Sequence, residues 1–222
     1  MAKQLPPTPV LALVGDSDID RWPESLLPNS THSDCANLPP MVVARSGATL
    51  AEVPGQVRSV IERAAKFGAS QGIVFVACAG ENDVGQGRSL DAIVESLERV
   101  LDAIFDTHVL IPVAKRKLIF LGPKFEPWLR DDPASRKAYA KLSNSFRRAF
   151  QRYKNGITNY VDCLTMFCGE SAKIPGAIFG GRAMPEERFF ESDGLHLSKA
   201  GYIIWKDAVN EIIVNYKHEM LL

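Results

Sequence analysis

Short apolar runs alternate along the chain with longer stretches in which apolar residues recur every three or four positions. The short runs predict four strands, at 10–14, 41–44, 73–77 and 118–121, and the alternation of the chain predicts a fifth at 158–161. The longer stretches have the spacing of helices with one buried face, and they predict helices at about 50–64, 90–104, 133–153 and 199–217. The segments 22–40 and 162–192 lack a sustained period, so we expect them to be largely irregular.

The alternation of strands and helices predicts the fold class. Strands separated by helices of ten or more residues pair in parallel, with right-handed crossovers. The run at 73–77 is apolar without interruption, which is typical of a strand covered on both faces. We therefore expect an α/β protein, a three-layer α/β/α sandwich around a parallel sheet of about five strands, with residues 1–222 forming a single domain.

Composition and charge restrict the kinds of molecule that the protein is expected to bind. The chain has 222 residues, 46% of them hydrophobic, and 26 basic residues balance 26 acidic ones. A neutral total gives no general attraction to nucleic acid, and the basic residues of the helix at 133–153 are expected to form a solvated face. No apolar run reaches about 18 residues, and the run at 10–14 is too short for a signal peptide. We expect a cytoplasmic protein without a membrane span; the oligomeric state stays open.

The sequence gives little reason to expect a metal or a cofactor. The four cysteines do not show the paired spacings of zinc sites, and free thiols are the simpler interpretation. Gly80 to Gly87 contains three glycines but lacks the fingerprints of phosphate-binding loops. We therefore predict no metal site and no cofactor, and a small neutral molecule as the partner.

Candidate chemistry begins at Ser17, which follows the first strand directly, at the sheet edge where α/β proteins bind ligands. A serine hydroxyl needs a base within hydrogen-bond reach, and the base needs a fixed tautomer. Asp193 and His196 are three residues apart, a spacing at which one turn can bring the carboxylate to the imidazole. The alternative is that Asp193 only caps the last helix and His196 is a surface histidine.

Ester hydrolysis by a serine would also need donors for an oxyanion. The backbone N–H groups of Ser17 and Gly47 and the side-chain amide of Asn82 could supply them, although Gly47 could be a turn glycine and Asn82 could bind its own loop. Asp16 and Asp83 are interpreted as structural acceptors of loop N–H groups. Glu81 is expected to be exposed.

Four short motifs resemble the conserved blocks of the SGNH, or GDSL-type, hydrolase superfamily: Gly15-Asp-Ser17, Gly47, Gly80-Glu-Asn82-Asp83 and Asp193-Gly-Leu-His196. The resemblance implies a flavodoxin-like sheet and ester hydrolysis, with Ser17 as nucleophile, His196 as base and Asp193 as the residue that orients it. It also implies Gly47 and Asn82 as oxyanion donors. The sequence departs from the family at Asp18, where Leu or Ile is more common, and this puts the usual substrate preference in doubt.

The expected function is therefore a serine esterase acting on small or short-chain acyl esters. Transfer of the acyl group to an alcohol by the same residues, or a binding module that keeps the fold without catalysis, are the alternatives. The loops near this edge contain polar and aromatic residues that could contact substrate. The candidates are Asp18, Trp22 and Trp128, with Phe125 and Phe179 as further aromatic residues of the same loops.

Overall fold

The computed structural model describes residues 9–28, 40–66, 72–106, 111–153, 157–173 and 184–220. Five strands form one parallel sheet with the order β2-β1-β3-β4-β5. They are β1 (Val10–Gly15), β2 (Met41–Ala44), β3 (Ile73–Cys78), β4 (Arg116–Leu121) and β5 (Thr158–Val161). The predicted five-stranded parallel sheet is confirmed.

Helices cover both faces of the sheet, as the alternation of its side chains requires. The helices are α1 (Ser17–Asp20), α2 (Val53–Lys66), α3 (Glu81–Gly85), α4 (Leu90–Phe105), α5 (Pro133–Arg152) and α6 (Lys199–Met220). One face of the sheet carries Val10, Ala12 and Val14, which belong to one apolar cluster with α2, α4 and α5; Leu11 and Leu13 belong to another with α6. None of the helices in the described ranges is long and apolar enough to cross a membrane.

The strand order places two chain segments at one crevice. The chain leaves β1 towards β2 on one side, and β3 then pairs with β1 on the other side. In open α/β sheets, ligands bind at such a reversal, beyond the carboxyl ends of the strands. Here the segments beyond those ends are 16–20 after β1 and 80–85 after β3.

The fourth strand begins earlier than the sequence pattern predicts, because a buried arginine starts it. Arg116 is completely buried, and its guanidinium donates to the carbonyl oxygens of Ile104 at 2.6 Å, Asp106 at 2.9 Å and Ile111 at 2.8 Å. These acceptors satisfy the buried donors of the arginine. The side chain of Arg116 thus joins the start of β4 to the C-terminal end of α4 and to Ile111.

The described parts of the segment 162–192, residues 162–173 and 184–192, are largely irregular, as expected, with two short 3₁₀ helices at Gly169–Lys173 and Glu187–Phe189. Residues 174–183, including Phe179, lie outside the described part of the chain. Cys78, Cys163 and Cys168 are buried free thiols, as the sequence suggested, and Cys35 lies outside the described residues.

Gly15 is the position in the sheet where a side chain is least tolerable. Its φ is +147°, and a Cβ there would lie 2.0 Å from the carbonyl oxygen of Cys78. We expect Gly15→Ala to destabilise the fold by about 3 kcal/mol or more, because both the contact and the backbone are strained. Gly55→Ala is the matched control, since a Cβ at Gly55 meets nothing within 4 Å.

Urea unfolding of the two variants beside the wild type checks this prediction. Gly55 lies in α2, where alanine is the better helix former, so its variant should match or exceed the wild type. A Gly15→Ala protein as stable as Gly55→Ala would contradict the prediction.

Candidate active site

The segment after β1 presents Ser17 at the first position of a short helix. The amide of Asp16 donates to the carbonyl oxygen of Cys78 at 3.1 Å, which joins the end of β1 to β3. The side chain of Asp16 then accepts from the amide of Asp18 at 3.1 Å and caps α1. Ser17 is partly exposed between these two anchored residues.

A glutamine that the sequence interpretation missed holds Gly15. The side chain of Gln56 accepts from the Gly15 amide at 2.6 Å and donates to the Gly15 carbonyl oxygen at 2.9 Å. Gln56 lies on α2 between Val53 and Val60, at the spacing of the buried face. A polar residue at a position of this buried apolar face was the sequence signal that could have identified Gln56 as a functional contact.

Asp193 and His196 form a tight local pair. Their side chains meet at 2.7 Å between Asp193 Oδ2 and His196 Nδ1, and Asp193 Oδ1 accepts from the amides of Leu195 and His196 at 2.9 and 3.0 Å. Partial burial favours a higher pKa for Asp193, but these hydrogen bonds outweigh it and hold the pKa well below its usual range. The aspartate is therefore ionised, and it fixes the ring so that Nε2 is its remaining nitrogen.

All the residues proposed from the sequence for catalysis line the same cavity. Ser17, Gly47, Asn82, Asp193 and His196 line a cavity of about 500 Å³. The segments that carry them follow β1, β2 and β3 or precede α6. The alternative of an isolated surface histidine does not fit this arrangement, since His196 is only 9% exposed and lies in the cavity wall.

In the loop 45–50, the backbone N–H groups are bound to acceptors except at Gly47. The acceptors are Gly15 O for Arg45, Asp20 Oδ2 for Ser46, Arg45 O for Ala48, Glu52 Oε2 for Thr49 and Asp83 Oδ2 for Leu50. The Gly47 amide has no acceptor within the described chain, and neither has the Ser17 amide. Two backbone donors at the cavity are thus free for a ligand.

Asn82 contributes a third donor but is already partly engaged. Its side-chain Nδ2 donates to the carbonyl oxygen of Ala48 at 2.9 Å, which leaves one of its two hydrogens. The contact joins the segment after β3 to the Gly47 loop, rather than Asn82 to its own loop. Asp83 acts as predicted: it is completely buried and accepts from the Leu50 amide at 2.9 Å.

A buried ion cluster lies beside Ser17. The ammonium of Lys124 contacts carboxylate oxygens of Asp18 at 2.6 Å, Glu81 at 2.8 Å and Glu126 at 2.6 Å. Burial works against the charge of Lys124, but the three carboxylates outweigh it and raise the pKa of the ammonium. The sequence did not point to Lys124, and the expectation that Glu81 is exposed is wrong, since it is 8% exposed.

Asp16, Asp18 and Cys78 each offer one possible metal-ligand atom, all within 4.8 Å of one another. The ammonium of Lys124 already supplies a positive charge to Asp18 here. The group is therefore better described as part of the ion cluster than as a metal site.

The three residues suggested for substrate contact have different positions. Asp18 and Trp128 line the cavity. Trp22 does not: it is 5% exposed, its indole N–H donates to the carbonyl oxygen of Leu26 at 2.9 Å, and its ring packs against Trp205. The suggestion for Trp22 is corrected, because its indole completes the core beneath α6. Phe125 is buried as well.

The buried carboxyl of Asp16 predicts a pH dependence of stability. Burial and the charges of Asp18 and Glu81 raise its pKa well above the ordinary value. The stability that this group contributes is therefore complete below about pH 4 and is lost as the pH rises through the raised pKa. We expect Asp16→Asn, which escapes this loss, to melt a few degrees above the wild type at pH 8 and closer to it at pH 5.

Asp132→Asn is the control with the opposite sign. Hydrogen bonds from the Ser135 amide and hydroxyl and the Ala134 amide lower the pKa of Asp132, so its contribution is present at neutral pH and lost on acidification. Melting curves from pH 4.5 to 8.5 test both variants. A difference between Asp16→Asn and wild type that shrinks as the pH rises would refute the assignment.

Comparison with known proteins assigns the chain to a protein family. A family model for GDSL-like lipases and acylhydrolases matches residues 13–204. No curated protein sequence matches the chain.

Solved structures share the fold at low sequence identity. A protein from Bacteroides fragilis, provisionally assigned as an acylhydrolase, is 16% identical with a TM-score of 0.63, covering 95% of this chain and 91% of its own. A member of the lipolytic G-D-S-L family from Veillonella parvula is 14% identical (TM-score 0.59; coverage 90% and 96%). Est24, a carbohydrate acetylesterase from Sinorhizobium meliloti, is 11% identical (0.57; 94% and 99%). Since the family model spans most of the chain, from β1 into α6, the protein belongs to the GDSL-like Lipase/Acylhydrolase family.

Proposed function

We propose that the protein hydrolyses short-chain acyl esters through Ser17 as nucleophile, His196 as base and Asp193 as the residue that orients the base. Family membership supports ester hydrolysis in general. The observation that carries the specific proposal is the Asp193–His196 pair, at 2.7 Å, in the same cavity as Ser17.

The hydrogen bonds of Asp193 and His196 support these roles. Asp193 occupies Nδ1 of His196, so Nε2 is the nitrogen that takes the proton of the Ser17 hydroxyl as this attacks the ester carbonyl. The ionised Asp193 stabilises the imidazolium that forms. His196 then gives the proton to the leaving alcohol, and a water molecule releases the acyl group by the same steps in reverse.

The oxyanion of each tetrahedral intermediate requires donors that are already in position. The amides of Ser17 and Gly47 have no acceptor within the described chain, and Asn82 keeps one free hydrogen. The surrounding hydrogen bonds hold these groups, so little reorganisation is needed when the charge develops. This supports all three as the oxyanion hole.

The cavity walls favour a small acyl group. Beside Ser17 lie the charged side chains of Asp18, Glu81 and Lys124, and the apolar Trp128 and Leu195 are both partly exposed. A long alkyl chain gains about 0.8 kcal/mol per buried methylene only where an apolar surface receives it. Acetyl to butyryl esters are therefore the proposed substrates.

The first test is the hydrolysis of 4-nitrophenyl esters from acetyl to dodecanoyl by the wild type and by Ser17→Ala. We expect the highest kcat/KM with acetyl to butyryl esters and a loss of at least about 10³-fold in the variant. Asp193→Asn should lose roughly 10⁴-fold in kcat, because it favours the wrong tautomer of His196.

Equal rates for wild type and Ser17→Ala would remove Ser17 from the mechanism. Tight ester binding without turnover would favour a binding module instead. Formation of a new ester when an alcohol is added, at the expense of the free acid, would identify acyl transfer.

A second test separates the catalytic role of Asn82 from its structural one. Asn82→Ala should lower kcat by about 10² to 10³ with KM nearly unchanged, since the donor acts only on the oxyanion. The variant also loses the hydrogen bond to Ala48, which should cost about 1 kcal/mol of stability.

Melting temperature and kcat are measured on the same preparation, with Asn82→Asp as the variant that keeps the shape but not the donors. Both variants should lose kcat. A lower melting temperature with an unchanged kcat would leave Asn82 as a loop contact only.

A further inference from the structure

The cavity has an excess of negative charge. Its lining includes Asp16, Asp18, Glu81 and Asp193, and Lys124 is the only lysine or arginine among the described residues that line it. Burial raises the pKa of Asp16 well above its ordinary value and also raises that of Asp18, against the opposing effect of the Lys124 ammonium, so this excess is smaller than a count of fully ionised groups. Even without Asp16, the lining has the carboxylates of Asp18, Glu81 and Asp193 against the one ammonium of Lys124, and the nearby guanidinium of Arg21, outside the lining, lies 4.0 Å from Asp193.

Lys124 cannot serve an anionic ligand. It is 1% exposed, and its three contacts with Asp18, Glu81 and Glu126, at 2.6 to 2.8 Å, use the three hydrogens of the ammonium. A carboxylate entering the cavity would therefore meet like charges without gaining a donor from this lysine. Such repulsion between like charges disfavours the binding of anionic ligands.

Asp18 supplies an acceptor that the protein leaves unused. Its Oδ2 accepts from Lys124, but its Oδ1 is buried and has no hydrogen-bond partner in the described part of the chain. The residue is 2% exposed and lines the cavity. An unpaired buried carboxylate oxygen is costly, and a ligand that brings a positive charge or an N–H donor offsets that cost.

Trp128 offers a second feature suited to a cation. Its indole N–H donates to Glu126, its ring meets Tyr139 edge to face with centroids 6.1 Å apart, and it is still 41% exposed at the cavity. The ring is thus held in place with part of its surface open. The face of tryptophan is the best aromatic surface for binding a cation.

We propose that the cavity selects esters whose alcohol part carries a positively charged amine, and discriminates against esters that carry a carboxylate. The proposal rests on the ester hydrolysis proposed above. It places the charge on the alcohol because the acyl group is short. Asp18 and Trp128 are the residues that determine this specificity.

Matched acetate esters test the proposal. 2-(Dimethylamino)ethyl acetate is a cation at pH 7, 3-methylbutyl acetate has the same shape without the charge, and acetoxyacetate is an anion. We expect the wild type to hydrolyse the cation with a kcat/KM at least about tenfold above that of its neutral isostere, and the anion most slowly; tenfold corresponds to about 1.4 kcal/mol.

Variants remove the intrinsic reactivity of the esters from the comparison. Trp128→Leu should reduce the cation-to-neutral ratio of kcat/KM by roughly twofold to thirtyfold, the range of a cation–π contact, while Trp128→Phe keeps more of it. Asp18→Asn should also reduce the ratio. If Asp18→Asn fails to fold, the Trp128 pair decides.

Three results would each overturn the proposal while ester hydrolysis stands. They are a wild-type cation-to-neutral ratio of kcat/KM near one, a ratio that none of the folded variants changes, and a preference for the anion. Failure of the wild type to hydrolyse any ester, 4-nitrophenyl acetate included, would instead overturn the proposed function and this inference with it.

Discussion

The ammonium of Lys124 connects the carboxyl ends of three neighbouring strands. Asp18 follows β1, Glu81 follows β3, and Lys124 and Glu126 follow β4. The amide of Lys124 also donates to Glu81 at 2.8 Å, so backbone and side chain hold the same carboxylate. A buried charge is tolerated only when its partners are fixed. The loops that follow β1, β3 and β4 therefore depend on one another for their positions.

The same constraint explains why donors are available at the cavity. Once Asp18, Asp20 and Asp83 accept from their neighbours, the segments after β1 and β2 have little freedom left. The amides of Ser17 and Gly47 then remain without an acceptor within the described chain. Free donors in a fixed frame are the preorganisation on which stabilisation of an oxyanion depends.

Much of the fold could be predicted from local pattern. All five strands were located from the sequence, and the uninterrupted apolar runs of β1 and β3 reflect burial on both faces, whereas the edge strands β2 and β5 are only partly buried. The sequence also grouped Ser17 with Asp193 and His196, and these residues line one cavity, Ser17 after β1 and the other two just before α6.

Long-range burial could not be predicted in the same way. Glu81 and Lys124 are charged residues that become buried only because each finds the other 43 positions away, and no local pattern reports such a partner. Trp22 looked like a loop aromatic, whereas its indole is buried against Trp205, far along the chain on α6.

The contact of Gln56 with Gly15 has a consequence for how the site is assembled. Gln56 extends from α2, on one face of the sheet, and hydrogen-bonds both the amide and the carbonyl oxygen of Gly15, two residues before Ser17. His196 enters from the segment before α6, whose core lies on the opposite face. Ser17 and His196 are thus held by different layers of the sandwich, and they can meet only when both layers have packed on the sheet. Under the proposed function, activity would therefore report that both layers have folded onto the sheet, because a half-assembled intermediate would hold one of the two residues without the other.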